Sequence, residues 1–172
     1  MDNTNIKFTQ KDFDETDQLA KLIKKIDHVD LTYANAVSDE IFQRQPFFLS
    51  VILGYQFDVS KEELEEIIKI SFLVWEYFRS NPNVQKKQVS QAYFEKAQAR
   101  NIDMLKYSEG EPNERAKMKV YSYDLQKLKS KALWTAILFR CDNRPVLKKM
   151  DTETKGFILI GMKSFIDCFE TI

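Results

Sequence analysis

The chain has 172 residues, 26 basic against 26 acidic side chains, 44% hydrophobic and 13% aromatic content, and only four glycines and four prolines. That length suits one domain, and its apolar content excludes wholesale disorder. Zero net charge provides no global field toward nucleic acid or anionic membrane, and the scarcity of glycine argues against tight-turned sheets and glycine-rich phosphate loops.

The first stretch, MDNTNIKFTQKDFDETDQ, is polar and acidic with no apolar signal-like core, so no secretory leader is expected. Residues 1–11 are expected to be flexible. A first helix is predicted from about Asp12 to Asp27, where Leu19, Leu22, Ile23 and Ile26 recur at helical spacing. Asp12, Asp14, Glu15 and Asp17 lie near its start, where the helix dipole favours carboxylates. A second helix, about Asp30 to Arg44, shows an apolar stripe of Leu31, Ala34, Val37 and Ile41. Pro46 suits the first turn of a third, PFFLSVILGYQ, whose all-round hydrophobicity predicts a central, buried position.

Ser60-Lys61-Glu62-Glu63 reads as a capping box, in which the Ser60 hydroxyl accepts from the Glu63 amide while Glu63 reaches back. The helix it opens runs to about Arg79, with Leu64, Ile67, Ile68, Phe72, Trp75 and Phe78 on one side. Ser80-Asn81-Pro82-Asn83 ends it. Two long helices follow, over about 85–107 and 113–140, joined through Gly110 and Pro112. In the second, Tyr121, Leu125, Leu128, Ala132, Thr135 and Phe139 alternate steps of four and three, a coiled-coil-like seam. This predicts a long antiparallel hairpin over roughly 85–140, solvated at its tip. Asp142-Asn143-Arg144-Pro145 breaks the chain before a last helix from about Thr152 to Phe169.

Catalytic equipment is sparse. A carboxylate-bridged di-iron site wants two Glu-x-x-His pairs, and the single histidine, His28, has Lys25 three residues before it. Zinc sites need closely spaced His and Cys, whereas Cys141 and Cys168 lie far apart. The densest carboxylates, Glu62, Glu63, Glu65 and Glu66, sit in the first turns of a helix, where capping and the dipole account for them. No G-x-S-x-G elbow, Walker loop or dinucleotide fingerprint is present. No metal and no cofactor are expected. Both cysteines occupy apolar helical contexts, which predicts buried, reduced thiols and a cytoplasmic setting. The longest apolar stretch, residues 157–169, is interrupted by Lys163 and Asp167 and is too short to span a bilayer.

Charge is unevenly distributed. Residues 1–82 carry 9 basic and 15 acidic groups, a balance of −6, and residues 83–131 carry 11 and 6, a balance of +5. The basic groups of 86–131, from Lys86 to Lys131, are interleaved with Tyr93, Phe94, Tyr107, Tyr121 and Tyr123, a pattern that suits a phosphate backbone and unstacked bases. Six acids among them favour a solvated hairpin instead. Arg44, Arg140 and Arg144 lie at expected helix ends, and the guanidinium fork suits a phosphate or carboxylate, so they are the first candidates for anion binding.

The sequence therefore reads as an all-α, single-domain bundle of about six to seven helices spanning 1–172. Its expected role is non-enzymatic binding of another protein or of a second copy of itself. Two alternatives stand beside that reading. One is a small-ligand binder, or an enzyme using carboxylate, Tyr and Arg groups in an interhelical cleft; the other is nucleic-acid binding through 86–131.

Overall fold

A computed structural model of the chain describes residues 7–172. Among these residues there are ten α-helices and no strand. The first five are α1 (Gln10–Asp27), α2 (Leu31–Arg44), α3 (Pro46–Gly54), α4 (Lys61–Phe78) and α5 (Pro82–Lys86), with a 3-10 turn at Tyr55–Phe57. The others are α6 (Gln91–Glu109), α7 (Glu114–Lys127), α8 (Lys131–Asn143), α9 (Pro145–Lys149) and α10 (Thr152–Thr171).

Local signals set most boundaries. Thr9 caps α1 in a reciprocal box with Asp12, whose carboxylate accepts from the Thr9 amide at 2.6 Å. Those hydrogen bonds hold the Asp12 carboxyl below its ordinary range. Of the segment expected to be flexible, residues 1–6 lie outside the described residues, and 9–11 belong to this cap and first turn. Ser60 and Glu63 form the capping box at α4, and Pro46 begins α3.

The core centres on α4 and α10. Six consecutive residues of α4, 70–75, and six of α10, 161–166, are buried. Trp75, Phe72, Phe48, Phe165 and Phe169 are among the largest fully enclosed side chains, each stabilising the fold by roughly 1.5–3 kcal/mol through area removed from water. Phe165 is the hub, with ring centroids of Phe94, Phe48, Phe47 and Phe169 at 4.3, 4.7, 5.9 and 6.2 Å. α10 lies along α6, and α1 packs on α4 and α8.

The helix count exceeds the six to seven expected because both long arms are broken and the expected break at Asp142-Asn143-Arg144-Pro145 opens a short helix, α9. The first arm divides into α5 and α6 because Gln45 fastens the intervening backbone, accepting from the Val89 amide at 3.0 Å and donating to the Val84 and Lys87 carbonyls at 2.7 Å each. The second divides at 128–130, where the Glu170 carboxylate accepts from the Lys129 and Ser130 amides at 3.2 and 2.8 Å. A helix running through would have committed those amides to its own carbonyls. The hairpin is therefore the shorter pair α6 and α7, and the predicted seam ends at the break. Leu128 and Ala132 are buried, but α8 turns Thr135 and Phe139 outward and buries Leu133, Ile137 and Cys141.

Two further expectations are corrected. Leu31 is 81% exposed because it opens α2 before the helix reaches the core. α3 is buried on one face only: Phe48 and Ile52 are enclosed, whereas Leu53 is exposed.

One close approach depends on a missing side chain. A Cβ built on Gly161 would lie well inside van der Waals contact with the Tyr55 hydroxyl, and 3.6 Å from ring carbon Cζ. Gly161→Ala therefore destabilises by about 1–3 kcal/mol through overpacking. Tyr55→Phe removes the obstructing atom and leaves ordinary contact, so the double variant recovers most of that loss. Urea unfolding of the four members of this cycle checks it, and simple additivity of the two single effects would refute it.

Candidate functional site

The three arginines singled out in the sequence do not form one site. Arg44 is exposed on the last turn of α2. Arg140 and Arg144 converge on Asp27 at the end of α1. The Arg140 guanidinium, 5% exposed, donates to Asp27 at 2.7 Å and to Glu66 of α4 at 2.8 Å, and Arg144 donates to the second Asp27 oxygen. Burial pushes the Asp27 carboxyl up, but the two guanidiniums outweigh it and hold it below its ordinary range. Arg140 thus ties three helices together and spends its fork on internal carboxylates.

Two surface features also carry internal pairing. A cleft of about 500 Å³ between α1 and the end of α4 contains Glu15, Glu76 and Glu170. Glu15 accepts from Tyr77, Glu76 from Tyr33 and Arg79, and Glu170 from Lys129 and Ser130. An open groove between α6 and α7 gathers Lys96, Arg100, Lys119, Tyr107 and Tyr123 from the basic segment. There Arg100 is paired with Asp167, and Lys127 lies over the Tyr123 ring, 4.1 Å from its centroid.

A different arrangement lies among α6, α7, α8 and α10. Each helix turns one face inward at one-turn spacing: Asn101, Met104 and Leu105; Tyr121, Asp124 and Leu125; Trp134 and Leu138; Gly156, Leu159, Ile160 and Lys163. They line a chamber of about 330 Å³, partly open to solvent, whose walls are apolar except at one end. At that end the buried Lys163 ammonium donates to Asn101 Oδ1 at 2.7 Å and pairs with Asp124 at 3.1 Å and Asp167 at 3.6 Å. The Asn101 amide nitrogen donates to Ser164 at 3.0 Å and to Asp167 at 2.9 Å, and Arg100 donates to Asp167 at 3.0 Å. Asn101, Met104, Asp124 and Lys163 also line a more polar cleft of about 260 Å³ on the far side of this cluster.

Sequence reasoning passed over this cluster. Lys163 and Asp167 registered only as interruptions of the longest apolar stretch. Their i, i+4 spacing within an otherwise apolar helix was the available signal, since isolated charges on such a face require partners.

Other groups with chemical potential are quiet. Burial pushes the Cys141 thiol up to about 11 and the Cys168 thiol up to about 12, which disfavours the nucleophilic thiolate. His28 is an exposed C-cap on α1, with Nδ1 2.9 Å from the Lys24 carbonyl. Among the described residues, no group of three His, Cys, Asp or Glu side chains is arranged to hold a metal ion, and no helix is long and apolar enough to cross a membrane. Comparison with protein-family models, with curated proteins and with solved structures gives no match.

Proposed function

We propose that the chain is a non-enzymatic binding protein for a small, mostly apolar molecule, held in the chamber among α6, α7, α8 and α10. The observation that carries this reading is the chamber itself: about 330 Å³, apolar on its walls and polar at one end. Small-molecule sites have this composition, with few placed polar groups in a largely hydrophobic lining and volumes of about 300–1,000 Å³. An apolar occupant would remove these partly exposed apolar walls from water. The internal pairing of Lys163 supports binding in preference to chemistry through this amine. An ammonium directed at Asn101, Asp124 and Asp167 has no lone pair to offer a carbonyl.

Gly156 provides the test. It lines the chamber, and a Cβ there meets nothing within 4 Å. Gly156→Leu is therefore expected to extend into the space from an unobstructed Cβ, and it replaces a poor helix former with a good one. Titration calorimetry with 2-naphthol is expected to show binding to the parent chain and at least a tenfold loss in Gly156→Leu, with helicity retained by circular dichroism. Equal affinity in the two proteins would overturn the assignment of the chamber as the site.

A further inference from the structure

Resting on that reading, we infer that the chamber selects an electrically neutral ligand with one hydroxyl end over any ionised ligand. The polar end is already charge-balanced: Lys163 and Arg100 face Asp124 and Asp167, all linked through contacts of 2.7–3.6 Å that also include Asn101. Lys127, Lys129 and Glu170 face the polar cleft beyond the cluster, where the Glu170 backbone carbonyl accepts from Lys129 Nζ and its carboxylate accepts from the Lys129 amide; they do not line the chamber. A carboxylate or ammonium brought in on a ligand would need a counter-charge that Lys163 and Asp124 now supply to each other, and a buried charge without a partner is strongly disfavoured.

A neutral end group meets no such conflict. Lys163 and Asn101 spend their N–H donors within the cluster, whereas the Asp124 carboxylate, paired through one oxygen, keeps an acceptor for a ligand hydroxyl at the same end of the chamber. Size narrows the class further. An apolar cavity of about 150 Å³ holds benzene, so about 330 Å³ suits roughly two fused rings or a short alkyl chain.

Three molecules sharing one ring system test this at pH 7: 2-naphthol, which is neutral; 2-naphthoate, an anion; and 2-naphthylmethylammonium, a cation. The expected result is 2-naphthol binding at least tenfold tighter than either ion. Asp124→Asn leaves Lys163 and Arg100 facing a single carboxylate, so this variant is expected to shift the naphthol-to-naphthoate affinity ratio at least tenfold toward the anion. Naphthoate or the ammonium binding the parent chain as tightly as naphthol overturns the selectivity and leaves the ligand-binding reading standing. No binding of any of the three overturns both.

Discussion

Replacing Gln45 with Ala lowers the unfolding free energy by about 4 kcal/mol, the sum expected when two buried backbone groups, the Val89 amide and the Val84 carbonyl, lose this partner at roughly 1–3 kcal/mol each. Gln45 is 1% exposed, and its amide accepts from the Val89 N–H while donating to the Val84 and Lys87 carbonyls. Its position fits it for this role. It closes α2 and precedes Pro46, with φ −137° and ψ 62°, outside the helical region that a following proline disfavours. One side chain thus joins the α2–α3 corner to the link between α5 and α6, some forty residues away in sequence. Gln45→Asn, with a side chain one methylene shorter, should recover little. Urea unfolding monitored at 222 nm gives the number, and a loss below about 1 kcal/mol would mean that water replaces the amide in full.

Arg140→Met is expected to cost about 3–5 kcal/mol, because it strands charges that the guanidinium now satisfies. Glu66 and Asp27, with side chains 12% and 20% exposed, keep only Lys69 and Arg144 as cationic partners. Adding Asp27→Asn and Glu66→Gln should return much of the loss, since removing a whole buried ionic set is far less damaging than removing one member. The pH dependence has a definite sign. Asp27 titrates below its ordinary value of 3.8 in the folded chain, so its contribution is complete above about pH 4 and disappears as pH falls through the lowered folded value. The parent chain therefore loses more stability than Arg140→Met between about pH 4 and pH 2. Parallel stability curves over that range would show that Arg140 does not hold the carboxyl ionised.

What the sequence disclosed was local chemistry. The Ser60–Glu63 box, Pro46 at a first turn and the hairpin bend near Gly110 each depend on residues within one turn of each other, and each lies where the pattern predicts. What it concealed was pairing at a distance. Nothing near Ser130 announces that Glu170, forty residues on, captures two backbone amides and stops a helix whose seven-residue rhythm continues in the sequence. Arg140 and Asp27 are 113 positions apart, so the arginine stood out as an anion binder without revealing that its anions belong to the chain. The chamber was hidden for the same reason. It needs single faces from four helices, and the apolar residues that line it are indistinguishable in sequence from those that pack the core.

α7 buries a single side chain, Ser122, whereas α4 buries eight. The segment that carries Tyr121, Asp124 and Leu125 into the chamber wall is therefore the one whose release costs the core least. Local opening free energies follow buried contacts element by element, so three walls of the chamber share the stability of the whole fold and the fourth has a separate, lower one. α7 is therefore expected to open while the Phe165 cluster stays closed, which hydrogen exchange checks as faster amide exchange over 114–127 than over 161–166.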